Sequence, residues 1–261
     1  MLKKNKIIII VIIIILCLCL IYHIYKENNS IKKVFLTYGD KHFINSRQRI
    51  INEAKQLDLF TDCIMETENV FNDMEFKKQL KNERFKKVAT SNRGGGYWLW
   101  KPYIVYKHLS KLNDGDILFF VDAGCKIDKN NQIKNIFEDL NSNKYNMTLN
   151  IYGDNEKIWS KGDALKYHNV ENNENILNKG QMESGRVFMI KNKKTMEIIS
   201  KWWDIAKNHP ELFDDSKSVV PNKGGFIEHR HDQSNISILC KLNECCDGTD
   251  LEFIKRGFSR E

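Results

Sequence analysis

The amino-acid sequence predicts an α/β protein whose central sheet is mostly parallel and flanked by helices, preceded by one transmembrane helix. Two passages of the chain alternate between apolar β-type runs and helical spacing, which is the pattern of βαβ units. The third observation is an apolar run at 7–25 that contains no Lys, Arg, Asp or Glu. We therefore predict a cytoplasmic tail at 1–6, a transmembrane anchor at 7–25, a stem at 26–32 and one domain at 33–261.

The apolar run at 7–25 has the length of a membrane span. Its 19 residues would rise about 28 Å as a helix, close to the roughly 30 Å of a bilayer core. A cleaved signal peptide usually has a shorter apolar region and a small-residue cleavage site, and no such site follows this run. Lys3, Lys4 and Lys6 occupy the short tail. We expect a cytoplasmic N-terminus and a domain that is lumenal, in the Golgi or endoplasmic reticulum, or extracytoplasmic.

Composition and cysteine spacing indicate a folded domain and disfavour two kinds of ligand, nucleic acid and zinc. The 41% hydrophobic content is ordinary for a folded domain, so a buried core is expected. The formal net charge is +7, but the lysines are scattered and do not alternate with aromatic residues along one face. That distribution disfavours nucleic acid as a partner. No CxxC pair occurs in the chain, so a zinc site of the usual spacing is not expected.

The first βαβ unit begins the domain. The runs "KVFLTYG" and "DCIMETE" each predict a strand. Between them, Ile50, Ala54 and Leu57 share one face of a predicted helix, with Ser46 as its N-cap.

The second unit follows a charged segment, "FKKQLKNERFKKV", which predicts one surface helix. "KPYIVYKHLSKL" predicts a helix with Val105, Leu109 and Leu112 along its apolar stripe, and "DILFFV" is apolar on both faces, as expected of a central parallel strand. Residues 126–144 are polar and predict helical or irregular structure. Later elements are expected in the strands "YNMTLNIY" and "GRVFMI" and the helices "KTMEIISKWWDIAKNHP" and "DQSNISILCKL".

A single acid, Asp122, ends the most apolar of the predicted strands. In open α/β sheets, ligands bind beyond the carboxyl ends of the parallel strands, which makes Asp122 a candidate binding residue. The alternative is a structural role, because Asp-Ala-Gly suits a tight turn. Position alone leaves both interpretations open.

The segment "NRGGGYWLWKP" has the composition of a loop that approaches an anion. Its glycines free the backbone, Arg93 and Lys101 bracket it with positive charge, and Pro102 at the first helical position would leave the helix amides facing the loop. This combination suits a pyrophosphate, although no GK[ST] follows the glycines. The alternative is a flexible loop whose Trp98 and Trp100 pack against the core.

The segment "FIEHRHDQ" places five ionisable residues in one row, at 228–232, just before a predicted helix. His229, His231 and Asp232 could ligate a metal, but Asp232 as a helix N-cap explains that acid equally well. Weaker candidates lie ahead of or inside short apolar segments: Trp159, Lys161, Asp163, Glu183 and Arg186.

Together these segments resemble a known family. In chain order, "RGGGYWLWKP", "GDILFFVDAGC", "EKIWSKGDA", "ESGRVFMIKN" and "GFIEHRHDQSNISIL" are similar to blocks of nucleotide-sugar glycosyltransferases of GT-A type from bacterial polysaccharide gene clusters and large viruses. The resemblance covers about residues 33–260. It implies a Rossmann-like donor-binding half and an acceptor half completed by the C-terminal blocks.

The resemblance also implies a divalent metal, Mn²⁺ or Mg²⁺, on the donor pyrophosphate. GT-A transferases usually end this strand with D-x-D, whereas here Asp122 matches the first acid and Gly124 stands where the second is expected. Within the resembled family, D-x-G is the normal form. Asp122 could still contact the ribose or reach the metal through water. A compensating ligand is then expected from elsewhere, and His229 and His231 are the candidates.

Other roles follow from the same resemblance. Asp232 is the expected general base, or the group that orients the acceptor hydroxyl, and Glu183 competes for that role. Arg93 and Lys101 are expected to offset the charge of the leaving nucleoside diphosphate. The expected donor-binding residues are Asp122, Gly124, Arg93, Lys101, Trp159 and Lys161.

The function expected from the sequence is transfer of a sugar from a nucleotide-diphosphate donor, most commonly a UDP-sugar, to a hydroxyl of a glycan, glycolipid or glycoprotein. The enzyme would be held at the membrane by its N-terminal helix. The alternative is a non-catalytic sugar- or nucleotide-binding module on a degenerate transferase fold, which D-A-G in place of D-x-D favours. The row of ionisable residues at 228–232 argues against that alternative, because a plain binding module seldom needs so many together.

Overall fold

The computed structural model describes residues 14–18, 30–127, 132–142, 144–245 and 258–260. Residues 14–18 are helical, and across these described ranges no helix is both long enough and apolar enough to span a bilayer. The remainder of the predicted span at 7–25, and most of the stem at 26–32, lie outside the described residues. The membrane anchor therefore stays a prediction. Residues 33–261 form a compact unit of their own.

The strands of the central sheet are β1 Lys33–Tyr38, β2 Asp62–Glu66, β3 Ile117–Val121, β5 Met147–Asn155 and β6 Gly180–Ile190. Within the described residues, they form one mixed sheet in the order β2–β1–β3–β6–β5. β1 pairs in parallel with β2 and β3, whereas β6 is antiparallel to β3 and β5. The strands β4 Cys125–Ile127 and β7 Phe258–Arg260 form a separate antiparallel pair.

The two predicted βαβ units are confirmed, because β1, β2 and β3 run in the same direction and are joined through helices. The expectation of a mostly parallel sheet needs one correction. β6 runs against both of its neighbours, so only the β2–β1–β3 half has parallel pairing. The apolar pattern of a strand shows that it is buried but not which way it runs.

The helices in the described residues are α1 Ile44–Gln56, α2 Met74–Gln79, α3 Glu83–Ala89, α4 Trp100–Leu109, α5 Gln132–Asn141, α6 Glu156–Trp159, α7 Gly162–Tyr167, α8 Glu174–Leu177, α9 Lys193–Asn208 and α10 Asp232–Leu242. Short 3₁₀ helices lie at Lys41–Phe43, Glu68–Asn72 and Pro210–Leu212.

Alternate residues of the strands face two hydrophobic layers. One layer joins Leu36 of β1 and Phe120 of β3 to α4, α9 and α10. The other joins Phe35 of β1 and Phe119 of β3 to α1 and α5. Phe35 and Phe119 are register partners, and Phe119 pairs in turn with Phe188 of β6, with ring centroids 4.3 Å apart. Helices thus cover both faces of the sheet, as the sequence predicts.

Three helix predictions need correction. α1 begins at Ile44, because the side chain of Asp40 caps a preceding 3₁₀ turn, so Ser46 lies inside the helix and is not its N-cap. The charged segment at 76–88 is not one surface helix but parts of α2 and α3, with the Asn82 side chain accepting hydrogen bonds from the first amides of α3. In the segment 126–144 the helical alternative is confirmed by α5, but the helix is not polar throughout, because it buries Ile133, Ile136, Phe137 and Leu140.

An aromatic cluster explains why the charged segment breaks into two helices. Trp203 of α9 is fully buried and packs against Phe76 of α2, Phe85 of α3 and Tyr103 of α4, with ring centroids 6.1, 6.1 and 5.0 Å away. A single straight helix places residues nine apart about 13 Å apart along its axis. The break at 80–82 allows Phe76 and Phe85 to meet the same indole, which links four helices through one side chain.

Truncation of this indole is expected to be strongly destabilising. Trp203→Ala removes a buried aromatic group and leaves a cavity between four helices, so the free energy of unfolding is expected to fall by about 3–5 kcal/mol. Urea denaturation followed by circular dichroism measures the change. The control is Lys201→Ala on the exposed face of the same helix, which is expected to change stability by less than about 0.5 kcal/mol. Equal, small changes in both variants would contradict this account.

Candidate functional site

A cleft of about 610 Å³ lies at the carboxyl ends of the parallel strands β1 and β3. Tyr38, the last residue of β1, and Asp122, the first residue after β3, both line it. The remaining walls come from several parts of the chain: the 3₁₀ turn after β1, the glycine segment at 92–101, Ser184 of β6 and residues 230–233. This is the position that the α/β architecture favours for a ligand.

Lys101 is the centre of the cleft's ionic arrangement. Its side chain is 2% exposed, and its ammonium lies 3.1 Å from Oδ1 of Asp122 and 3.2 Å from Oδ2 of Asp232. It also donates a hydrogen bond of 3.3 Å to Oγ of Ser184. One cation therefore holds together the end of β3, the strand β6 and the first residue of α10. The turn role considered for Asp122 is confirmed, since its backbone carbonyl accepts a hydrogen bond from the Cys125 amide, and its side chain lines the cleft.

Burial and the neighbouring charges both shift the pKa values of Lys101 and Asp232. Burial lowers the pKa of Lys101, but Asp122 and Asp232 more than compensate, and its pKa is raised overall. For Asp232, burial raises the pKa, the nearby Asp122 raises it further, and Lys101 and Ser184 offset only part of this. A buried lysine between two carboxylates leaves the group with a net negative charge when all three are ionised.

The glycine segment forms a left-handed turn. Gly94, Gly95, Gly96, Tyr97 and Trp98 all have positive φ angles, from 50° to 96°. A Cβ on Gly96 would lie 2.4 Å from the carbonyl oxygen of Ala89, and a Cβ on Gly94 would lie 2.5 Å from the Trp98 ring. The glycines are therefore required both by the backbone angles and by close packing.

The amides of the glycine segment are used within its own turn, and the pyrophosphate role of the segment stays a prediction. The amides of residues 95–99 donate hydrogen bonds within the turn, to carbonyls of residues 92–96. α4 begins at Trp100, so Pro102 is its third residue and not its first. The turn orients Trp98, which lines the cleft, and Trp100, whose ring stacks on Tyr38 with centroids 3.8 Å apart. Packing, the alternative considered for these tryptophans, is what the structure shows for Trp100.

Tyr38 lines the cleft, but its hydroxyl is buried. The residue is 6% exposed, and within the described part of the chain the hydroxyl has no hydrogen-bond partner and almost no accessible surface. A buried hydroxyl without a partner is costly and rare in folded proteins.

Arg93 and His231 are joined through Asp215, an acid that is not among the residues predicted above. Its carboxylate lies 2.8 Å from Nη1 of Arg93 and 3.0 Å from Nε2 of His231. His231 has a φ of 55° and stacks near Trp98, with ring centroids 5.0 Å apart. Burial lowers the pKa of His231. Asp215 thus connects the glycine turn to the residue before α10, at the rim of the cleft.

The block "SKGDA" positions a loop and does not line the cleft. We call residues 211–231 the strap, because they connect the region after α9 to α10 along one side of the site. The ammonium of Lys161 is buried and donates to the carbonyl oxygens of Glu211 and Asp214 and to Oγ of Ser216, at 2.5, 3.0 and 3.3 Å. Lys161 therefore holds the start of the strap, although donor binding was expected of it.

The two residues after Lys161 hold the middle of the strap. Both oxygens of Asp163 accept backbone hydrogen bonds, from Val219 at 3.0 Å and Val220 at 2.8 Å. Gly162 packs so closely that a Cβ would lie 2.3 Å from the carbonyl oxygen of Val220. Burial raises the pKa of Asp163, but the two amides outweigh it and the pKa is lowered overall.

His229 holds the end of the strap. Its Nδ1 accepts a hydrogen bond from the Lys161 amide at 3.3 Å, and its Nε2 donates to the carbonyl oxygen of Leu212 at 2.8 Å. Burial and the charge of Lys161 lower the pKa of His229 to about 3. Both ring nitrogens are engaged by backbone groups, so the metal-ligand role expected for His229 does not agree with the geometry.

Glu183 and Trp159 also lie away from the cleft walls, whereas Asp232 lines the cleft. Glu183 is fully buried and its carboxylate forms an ion pair with Arg186, while its neighbour Ser184 faces the cleft because successive strand residues point to opposite faces. The ring of Trp159 stacks under the guanidinium of Arg230, 4.4 Å away, and its carbonyl oxygen accepts from Ser234. Asp232 is the first residue of α10 and does not cap it with its side chain.

The residues proposed for a divalent metal do not form a ligand set. In the part of the chain that the structure describes, no group of three or more His, Cys, Asp or Glu side chains is placed to hold an ion. The Asp122 carboxylate contacts Lys101, and Nε2 of His231 contacts Asp215. A Cβ on Gly124 would have no atom within 4 Å, so no packing constraint requires a glycine there. The donor set therefore does not fit the expected metal.

Comparison with known proteins adds a likeness of fold. No family model matches the chain, and no curated protein matches it. Similar solved structures include a glycosyltransferase involved in the glycosylation of the major capsid of PBCV-1, with 13% identity over 76% of this chain and 81% of that chain and a TM-score of 0.38. Mouse xyloside xylosyltransferase 1 is 11% identical over 81% of this chain and 82% of its own, with a TM-score of 0.43.

A third similar structure is a galactosyltransferase in complex with donor and acceptor sugar analogues. It is 10% identical over 87% of this chain and 86% of its own, with a TM-score of 0.40. At TM-scores below 0.5, these likenesses do not by themselves assign an activity to this chain.

The close packing of the left-handed turn predicts a specific loss of stability. Gly96→Ala adds a Cβ that clashes with the Ala89 carbonyl, whereas Gly115→Ala adds one at a similar φ of 94° with no atom within 4 Å. Both variants carry the backbone cost of about 1 kcal/mol, and Gly96→Ala is expected to lose at least about 1 kcal/mol more. Chemical denaturation of the two variants measures the difference. Equal losses would show that the contact with Ala89 does not constrain the turn.

The lowered pKa of His229 predicts acid sensitivity. The unfolded chain binds a proton near the ordinary histidine pKa of about 6.5, but the folded chain does so only near 3. Stability from the neutral imidazole is therefore complete above pH 6.5 and is lost as pH falls through this window, by up to about 1.4 kcal/mol per pH unit. His229→Gln is expected to lower stability at pH 7.5 and to flatten its decline between pH 6.5 and 4. Denaturation midpoints against pH, with exposed His42→Gln as control, test this; an unchanged slope would contradict it.

Proposed function

We propose that this chain is a membrane-anchored glycosyltransferase that moves a sugar from a nucleotide-diphosphate donor to a hydroxyl of a glycan, glycolipid or glycoprotein. The observation that carries the proposal is the ionic group of Lys101, Asp122 and Asp232. Its members belong to separate blocks of the sequence resemblance and meet in one cleft at the carboxyl ends of the parallel strands. The anchor and the extracytoplasmic location are proposed from the apolar run at 7–25 alone.

Positive charge at the rim supports an anionic donor. Arg93 and Arg230 both line the cleft, and their side chains are 48% and 45% exposed. Guanidinium groups match the geometry of phosphate oxygens and can offset the charge that develops on a leaving nucleoside diphosphate. A UDP-sugar is the donor that we propose to test first.

Asp232 is the proposed base. In the transfer, the acceptor oxygen forms a bond to the anomeric carbon, the bond from that carbon to the diphosphate oxygen breaks, and the acceptor proton passes to the Asp232 carboxylate. Burial keeps the pKa of Asp232 above its ordinary value, which suits a group that takes a proton near neutral pH. Glu183 is disfavoured for this role, because its carboxylate pairs with Arg186 and does not line the cleft.

Asp122 is proposed to orient the donor. It stands at the end of β3, and its side chain is 26% exposed, far more than that of Asp232 at 5%. The Lys101 ammonium lies 3.1 and 3.5 Å from the two carboxylate oxygens of Asp122, and the exposed part of that carboxylate is proposed to accept hydrogen bonds from donor hydroxyls. The three similar solved structures are transferases of the same class, but the proposal rests on this chain's own cleft.

Substitution of the two acids is expected to separate binding from transfer. Asp232→Asn should keep nucleotide-sugar affinity within about threefold and lower the transfer rate by about 10²–10⁴-fold, because an amide cannot accept the proton. Asp122→Asn should weaken donor binding as well. Calorimetry and nucleoside-diphosphate release, measured on the full-length chain with a panel of nucleotide sugars, give the two quantities.

Exposed Asp114→Asn is the matched control and is expected to behave as the native chain does. Wild-type turnover in Asp232→Asn would refute its role as the base. Binding of a nucleotide sugar with no release or transfer by the native chain would instead support the non-catalytic binding module.

A further inference from the structure

We infer that the Lys101 ammonium occupies the cation position between Asp122 and Asp232, and that the cleft therefore binds its donor without a divalent metal. This inference rests on the proposed function for the identity of the donor. Its structural part, that a lysine and not a metal ion bridges the two acids, concerns the chain alone.

The first argument is the coordination of the ammonium. The ammonium lies among oxygens of three separate segments: it donates hydrogen bonds to Asp122 and to Oγ of Ser184, and it forms an ion pair, without a hydrogen bond, with Oδ2 of Asp232 at 3.2 Å. The side chain is 2% exposed, so it cannot move out into solvent without leaving two carboxylates facing each other. The acids that a metal would need are thus already bound to a cation.

The second argument is the charge that an incoming metal would meet. A divalent ion bound to Asp122 would come close to the ammonium, and like charges repel strongly in a buried, low-dielectric setting. The other acid that lines the cleft, Asp40, uses one carboxylate oxygen to accept a hydrogen bond from the His42 amide. The histidines named as compensating ligands use Nε2 for Leu212 and Asp215.

The third argument is that the donor's own charge has other partners. Arg93 and Arg230 line the rim of the cleft with half-exposed guanidinium groups. They are paired with Asp215 and Glu228, acids at the surface that a diphosphate can displace more readily than buried ones. Lys101 would then fix the base and the donor-orienting acid, and the two arginines would take the diphosphate.

The first experiment uses the full-length native chain in detergent. Electron paramagnetic resonance of added Mn²⁺ measures how much ion the protein retains, alone and with UDP or GDP. Calorimetry then measures UDP and GDP binding in Mn²⁺ and in excess chelator. We expect no retained Mn²⁺ below millimolar concentrations and nucleotide affinities that agree within about threefold. Stoichiometric retention of Mn²⁺, or affinity more than tenfold tighter with Mn²⁺, would overturn the inference.

The second experiment changes the cation. Lys101→Met frees both carboxylates and is expected to gain a Mn²⁺ site with a dissociation constant below about 100 μM, more than tenfold tighter than the native chain. Lys101→Arg keeps the positive charge and is the matched control, expected to retain none. A folded Lys101→Met chain that binds no Mn²⁺ would overturn the inference. If Lys101→Met does not fold, the measurements on the native chain decide.

These outcomes are separable from failure of the proposed function. If no tested nucleotide binds with or without Mn²⁺, the donor assignment fails. Mn²⁺ retention by the native chain and by the two Lys101 variants still shows whether the lysine holds the cation position.

Discussion

The burial of one ammonium between two carboxylates is the constraint on which the rest of the cleft depends. A buried lysine is stable only when hydrogen-bonded and paired, so the end of β3, residue 184 of β6 and the start of α10 must all arrive within about 3 Å of Lys101. The left-handed turn at 94–98 immediately precedes α4, which carries Lys101, and two of its glycines, Gly96 and Gly94, pack against Ala89 and Trp98.

The position of Asp232 depends on how firmly the strap is held. Asp232 follows twenty-one residues of the strap, which contain no helix longer than the 3₁₀ turn Pro210–Leu212 in the described chain. Such a segment would hold Asp232 poorly if it were free to move. Lys161, Gly162, Asp163 and His229 bind it at its start, middle and end. Lys161, a second buried lysine whose main partners are carbonyl oxygens, therefore helps to hold the strap that places Asp232 beside Lys101.

Much of this fold could be predicted from the sequence, because apolar periodicity reports burial directly. It identified β1, β2, β3 and α9, and the rule for open sheets placed Asp122 at a site. Strand direction in β6 and the break between α2 and α3 were missed, since both depend on partners distant in the chain. Lys161 was predicted to bind the donor and His229 to bind a metal, because the sequence shows that a residue is ionisable. It does not show that backbone carbonyls and amides already occupy the hydrogen-bonding atoms of that residue. Nothing in the sequence distinguishes Asp215 from the other acidic residues of the chain.

The ion pairs of Lys101 give a physical reason for the glycine at position 124. The position has room for a side chain, because a Cβ there would meet no atom within 4 Å, and its backbone is not in the left-handed region. Neither packing nor strain therefore accounts for the missing acid of the D-x-D pattern. Charge does: Lys101 already neutralises one of the two carboxylates it contacts, the partly exposed Asp122 and the buried Asp232, and a further acid beside Asp122 would add a negative charge that no described cation in the cleft interior offsets. A chain that bridges Asp122 with lysine has no use for a second metal-binding acid, and D-A-G is the sequence expected of it.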